Sequence, residues 1–250
     1  MKERTVAIVT GASRGLGQAL AAALLEQGAH LIAIARSRSA ELERIADLGR
    51  GSLQQIQADL SDPAEAERVA AQLADGLPKD AGRYLLINNA GMVDPVRQAS
   101  DLDSANAISA AFSLNVTSVI LLCSAFLKAV KPLNADARIV NISSGAGRSA
   151  TPGWGVYCAT KAALDHYTQV LNTENHGVRA VSLAPGVIDT GMQQAIRASD
   201  PQDFPNVQRF EQLHQQKQLA APADVAARIL RYVDEPDFGA TVLDDIRNYA

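Results

Sequence analysis

The order of apolar and polar positions divides the chain into short β-branched runs separated by longer stretches of helical period. The runs 5–10, 30–35, 53–57, 84–88, 138–143, 178–183 and 240–243 are read as strands buried on both faces, most of them nearly continuous in apolar side chains. Between them, 15–28, 39–48, 63–75, 103–131, 155–173 and 222–235 carry apolar residues at three- and four-residue spacing, which predicts helices. Pro222 opens the last of these in its first turn. Strand and helix in alternation are the sequence form of repeated βα units. The predicted class is therefore α/β, one doubly wound parallel sheet of about seven strands with helices on both faces, in a single domain over 1–250. The rhythm breaks at 187–221, where Asp200-Pro201, Phe204-Pro205 and a Gln-rich run replace it. A segment of that length predicts a partly helical cover over a site.

With 250 residues, 47% of them hydrophobic and 20% charged, the chain can bury a substantial core, and composition-driven disorder is excluded. A formal charge of −4 gives no net attraction to phosphate backbones or anionic lipid, so neither nucleic acid nor membrane is an expected partner. The longest unbroken apolar run, 19–25, is seven residues, against the roughly 18 that would read as a span. Met1-Lys2-Glu3-Arg4 leads directly into the apolar run ending at Val9 without the pattern of a secretory leader. The expected location is cytoplasmic, where Cys123 and Cys158 stay reduced and act as small apolar fillers. His30, His166, His176 and His214 have no metal-ligand spacing, and the Asp101 and Asp103 pair reads as a cap for the long helix. No metal is expected.

Candidate chemistry begins after the first strand, at Thr10-Gly11-Ala12-Ser13-Arg14-Gly15-Leu16-Gly17, which runs straight into a helix. Glycines in such a turn let backbone N–H groups approach a pyrophosphate, which then sits on the positive end of the helix dipole. The favoured ligand is a dinucleotide. The second strand ends at Ala35-Arg36-Ser37-Arg38, with no acid to accept the ribose 2′-hydroxyl. Arg36, with Arg14, is suited to a 2′-phosphate, which favours NADP over NAD.

Further along, Asn88-Asn89-Ala90-Gly91 closes the fourth strand, Asn115 lies in the long helix, Ser143 ends the fifth strand, and Tyr157-Cys158-Ala159-Thr160-Lys161 opens another helix. Tyr and Lys four apart share a helix face, so an ammonium near the phenol favours the phenolate and lowers the tyrosine pKa. Ser143, fourteen residues before Tyr157, is read as donating to a substrate carbonyl while Tyr157 delivers a proton.

In combination with the Gly-rich turn, these motifs resemble the short-chain dehydrogenase/reductase family over essentially the whole length. The resemblance implies a Rossmann-type fold, a Ser143, Tyr157 and Lys161 triad, and Asn115 supporting a proton-relay water. It also implies Lys161 on the nicotinamide ribose, Asn89, Ala90 and Gly91 lining the cofactor, Asp59 near the adenine and Pro185-Gly186 beside the nicotinamide. The candidate cofactor set is completed by Gly11, Ser13, Arg14, Gly15, Leu16, Gly17, Arg36, Ser37, Leu60, Tyr157, Val187 and Thr190. The candidate substrate set is Ser143, Trp154, Tyr157, Gly186 and Met192, with Phe204 as a further wall.

Within the family, Gly153-Trp154-Gly155-Val156-Tyr157 and Leu183-Ala184-Pro185-Gly186-Val187-Ile188-Asp189-Thr190-Gly191-Met192-Gln193 look like the sepiapterin reductase branch and its benzil (1,2-diketone) reductase relatives. Sepiapterin reductases place a pterin-anchoring Asp just after the final strand's Val, where this chain has Leu243, with Asp244 next. The expected activity is NADPH-dependent reduction of a small-molecule carbonyl, a vicinal dicarbonyl or similar activated ketone, with sepiapterin-like substrates as the neighbouring choice. Alternatives are a secondary-alcohol dehydrogenase running the same site backwards, and an NADP(H)-sensing regulator or scaffold. The resemblance further implies a homodimer or homotetramer built on the helices near 103–131 and 155–173.

Overall fold

The computed structural model describes residues 4–249. Met1 to Glu3, on which part of the leader expectation rests, lie outside them. Seven strands among the described residues, β1 (Thr5–Thr10), β2 (His30–Ala35), β3 (Ser52–Gln57), β4 (Arg83–Asn88), β5 (Asp136–Ile142), β6 (Arg179–Ala184) and β7 (Leu243–Asp245), form one sheet. Every pairing is parallel, in the order β3-β2-β1-β4-β5-β6-β7. The chain works outward from β1 to β3 and then returns to lay β4 on the other side of β1. That reversal opens a crevice at the carboxyl ends of β1 and β4, where doubly wound sheets bind their ligands.

Alternation along the strands sends side chains to two cores. Ala7, Val9, Leu85, Ile87, Val140 and Val181 pack under α1 (Gly15–Glu26), α2 (Ala40–Asp47) and α9 (Pro222–Asp234). Val6, Ile8, Tyr84, Leu86 and Ile139 pack under α3 (Pro63–Gly76), α5 (Ser118–Val130) and α6 (Gly155–Glu174). The two edge strands depart from burial on both faces: β7 is short and half-buried, and in β3 Ser52, Gln54 and Gln57 stay exposed. Local signals set several helix starts, with Ser39 and Asp62 accepting backbone N–H groups at α2 and α3, the latter followed by Pro63.

Two expectations need correction. The long helix stands as one continuous stretch, Ala105–Val130, in which α4 (Ala105–Phe112) runs into α5 through a wider π turn over Ser113–Thr117. Its cap is Ser104, whose hydroxyl accepts from the Ala107 N–H, and neither Asp101 nor Asp103. By length and composition alone the helical stretch Ala105–Val130 is apolar enough to cross a membrane, but Val119, Leu122, Cys123 and Phe126 are buried in the core. The last strand begins at Leu243, three residues later than the apolar run suggests, because the acidic pair Asp244-Asp245 extends beside β6. The 187–221 segment carries α7 (Gly191–Arg197) and α8 (Val207–Gln215). Its two ends meet where Ile188 pairs with Ala220, so the excursion closes on itself.

Candidate active site

The turn between β1 and α1 is built around contacts that leave no room for side chains. Gly11 has φ +67°, and a Cβ on Gly17 would lie 2.3 Å from the Gly11 carbonyl and 2.4 Å from Asn89 Nδ2. Asn89 holds the turn from the end of β4: its Nδ2 donates to the Thr10 carbonyl at 2.9 Å, while the Asn89 and Ala90 N–H groups both donate to Thr10 Oγ1 at 2.9 Å. Thr190 closes the other side, its Cγ2 3.2 Å from where a Gly15 Cβ would stand. A backbone cradle at the N-terminus of a helix, pressed between two chain crossings, fits a pyrophosphate. Leu16 and Leu60 bury their side chains in the core, leaving only backbone to a ligand.

Beside this turn a shallow cleft brings Ser13 together with Ser37, Arg38 and Gln57. Arg38 is occupied by an ion pair with Glu43 at 2.7 Å. Arg36 is exposed and makes no side-chain hydrogen bond or ion pair among the described residues. Asp59 Oδ1 accepts from the Ser61 hydroxyl at 2.7 Å and its N–H at 3.0 Å, and these bonds, with a smaller contribution from the Arg36 charge, hold the carboxyl below its usual range.

At the carboxyl end of β5 the two adjacent serines part company. Ser143, expected to hold the substrate carbonyl, is 3% exposed and donates from Oγ to Asp165 Oδ1 at 2.6 Å. Strand alternation explains this: Ser143 shares the parity of Ile139 and Asn141, whose side chains point toward the α6 side of the sheet. Ser144, just past the strand, hydrogen-bonds the Tyr157 phenol instead. The sequence reading missed Ser144. The parity of Asn141 and Ser143 against apolar Val140 and Ile142 is the signal that would have found it.

Tyr157 is 7% exposed, and burial raises its pKa above the ordinary value, opposed by the Ser144 hydrogen bond. The lowering expected from Lys161 is therefore not the net direction. Lys161 lies one turn on, 5% exposed, with Nζ 5.8 Å from the Tyr157 ring centre and donating to the Ile142 carbonyl at 2.8 Å. Burial pulls its pKa down to about 8 against the pull of Asp165. Asn115 sits in the π turn with its Oδ1 accepting from the Met92 N–H and its Nδ2 donating to the Met92 carbonyl and Thr160 Oγ1. It thereby ties the loop after β4 to α6. Gly91 lies between them: a Cβ there would stand 3.3 Å from Asn115 Oδ1 and 3.7 Å from Lys161 Nζ.

One wall of the site is aromatic. Trp154 meets Tyr157 edge to face at 5.4 Å and stacks on Phe204 of the cover at 4.8 Å, with Phe210 tilted against both. Val187 and Met192 pack on the same cluster. Gly153 lets the cover approach, since at φ +84° its Cβ would collide with the Asp203 carbonyl at 2.3 Å. Arg97 fastens the same point through an ion pair with Asp203 at 2.6 Å. Pro185, Gly186 and Val187 leave the end of β6 beside this wall, with the Arg247 side chain 3.5 Å from a Gly186 Cβ position.

The short chain dehydrogenase family model matches residues 5–201. Benzil reductase ((S)-benzoin forming) from Bacillus cereus is 36% identical over 236 residues, covering 92% of this chain and 94% of that one. Sepiapterin reductase from Meriones unguiculatus is 38% identical over 219 residues, covering 82% and 83%. The solved short-chain dehydrogenase from Sphingobium yanoikuyae in complex with NADPH superimposes with a TM-score of 0.73 at 28% identity, covering 92% and 84%.

Proposed function

This chain belongs to the short-chain dehydrogenase family, and from that premise we propose that it is an NADPH-dependent reductase of activated ketones, vicinal dicarbonyls foremost. The coarser statement, an oxidoreductase acting on carbonyl or CH–OH groups, follows from the family and the named reductases it resembles. The observation that carries the finer one is the Ser144 and Tyr157 hydroxyl pair set over a buried Lys161 beside an aromatic wall. A bound nicotinamide dinucleotide supplies the hydride. Ser144 and Tyr157 both donate to the substrate oxygen, and Tyr157 gives up its proton as the oxygen gains charge. Lys161 stabilises the phenolate left behind, and Asn115 supports a water chain that restores the proton.

The residues of the final strand favour a dicarbonyl over a pterin. Asp244, the nearest candidate for a pterin anchor, is 3% exposed and turned into the core. It accepts from the Tyr232 and Tyr249 hydroxyls, the Asp245 N–H and Asn248 Nδ2. Asp245 is ion-paired to Arg247 at 2.5 Å. We expect benzil and aliphatic 1,2-diketones to oxidise NADPH, followed at 340 nm, well faster than sepiapterin or a simple ketone. Fast sepiapterin turnover would reverse the order of substrates, and no turnover in protein that binds NADPH would favour the sensing role.

Preference for NADPH rests on Arg36, whose guanidinium stands exposed where the second strand ends. A charge-assisted hydrogen bond to a phosphate contributes about 1.5–3 kcal/mol. Arg36→Ala is therefore expected to raise KM for NADPH by about ten- to a hundredfold and leave NADH nearly unchanged. Equal losses with both cofactors would remove Arg36 from the argument. Self-association is part of the same proposal, supported by the exposed apolar side chains of Ile120 on α5 and Val170 on α6.

A further inference from the structure

Asp165 is a buried carboxylate that the reaction described above leaves without a role. It lies on α6 one turn beyond Lys161 and two beyond Tyr157, 4% exposed. Its Oδ1 accepts from the Ser143 hydroxyl and from the Ser182 hydroxyl, each at 2.6 Å. Its Oδ2 accepts from Arg148 Nε at 3.0 Å. Arg148 then reaches across the sheet, donating to the Ser182 carbonyl and to the Asp244 carbonyl, both at 3.0 Å. One carboxylate thus joins α6, the end of β5, the middle of β6 and, through Arg148, β7.

The bond to Ser143 matters because Ser144 is its chain neighbour. The short charge-assisted bond from Ser143 fixes the residue just past β5 relative to α6, the one from Ser182 ties the same oxygen to β6, and α6 carries Tyr157. We propose that Asp165 is a positioning residue that clamps Ser143 so that Ser144 stays on the Tyr157 phenol, and that it sets a negative charge one turn from the Lys161 ammonium. The inference rests on the reductase reading for its kinetic consequences, but its geometry stands without it.

The charge has a direction. Groups facing Lys161 are Tyr157 and Asp165 on its own helix, the Ile142 carbonyl from β5 and Asn115 from the π turn, with Arg148 behind Asp165. Burial lowers the Lys161 pKa and Asp165 raises it. Neutralising Asp165 removes the raising influence, so Lys161 loses its proton at lower pH.

Two variants separate clamp from charge. Asp165→Asn is expected to lower kcat about tenfold and to move the alkaline limb of the pH–rate profile down by about one unit, with NADPH affinity at pH 6 unchanged. Ser143→Ala keeps the charge and the Ser182 bond, and it is expected to lower kcat several-fold with the limb unmoved. Nitrogen-15 NMR titration of Lys161 Nζ in parent and Asp165→Asn reads the same shift with no substrate present. A parent enzyme without carbonyl turnover therefore overturns the reductase reading alone. An Nζ titration unmoved by Asp165→Asn, or a kcat that falls only with the folded fraction seen by circular dichroism, overturns this one. If Asp165→Asn does not fold, full turnover by folded Ser143→Ala overturns the clamp.

Discussion

Tyr157→Phe is expected to lower kcat for 1,2-diketone reduction by about a hundred- to ten-thousand-fold, the range associated with removing a general acid. The phenol is buried and in hydrogen-bond contact with Ser144, and burial favours its protonated form. Phe retains the ring that packs edge to face on Trp154, so the aromatic wall and the fold survive. NADPH affinity, followed by fluorescence, should change little. Ser144→Ala is expected to cost about a hundred- to a thousandfold, as for loss of one preorganised donor to a developing oxyanion. It should cost clearly more than Ser143→Ala, whose hydroxyl is committed to Asp165. Equal losses at the two serines would mean that the β5 end rearranges when substrate binds, and a larger loss at Ser143 would return the carbonyl to it.

That ordering of adjacent serines marks how far the sequence can be read. Strands and helices were legible because a parallel sheet covered on both faces needs apolar runs, and β1 and β2 fall where the runs are. The cradle was legible because only glycine tolerates the approach of Gly11 to Gly17 and Asn89. A serine hydroxyl near the Tyr157 phenol at the β5 end was legible, but which of the two adjacent serines reaches it was not. Both residues are polar, and the choice depends on strand parity against a helix whose facing residue, Asp165, lies far along the chain. The final strand shifted for a related reason. Asp244 falls outside the apolar run 240–243, and its burial is offset by four hydrogen bonds from Tyr232, Tyr249, Asn248 and the backbone. The cover was legible as an interruption, while its docking through Phe204 on Trp154 was not, since aromatic stacking leaves no spacing signature.

Lys161→Met is expected to make the protein more stable while removing most of its activity. A charged lysine 5% exposed is disfavoured in the fold, and its pKa falls to about 8 from the ordinary 10.5. At about 1.4 kcal/mol per unit this costs on the order of 3 kcal/mol of stability near neutral pH. The sign follows from proton binding. Between pH 8 and 10.5 the unfolded chain holds the lysine proton more tightly than the folded one, so parent stability rises with pH through that window, and below it the penalty is fully present. Met fills a similar volume without charge, and what it loses is the bond to the Ile142 carbonyl, which costs about 1–3 kcal/mol if that oxygen is left unpaired. The net gain at pH 7 is about 1 kcal/mol, within a range of about 0–2, a rise in Tm of about 2–4 °C per kcal/mol for a chain of this size. As pH is raised toward 10 the gap between variant and parent should close. Over the same range kcat of the variant should stay at least about a hundredfold below that of the parent at pH 7, because the phenolate left on Tyr157 has lost its cation. A variant less stable than the parent at pH 7, or a gap that widens with pH, would mean that the ammonium is held favourably. In that case the Ile142 carbonyl and Asp165 together outweigh burial at this site.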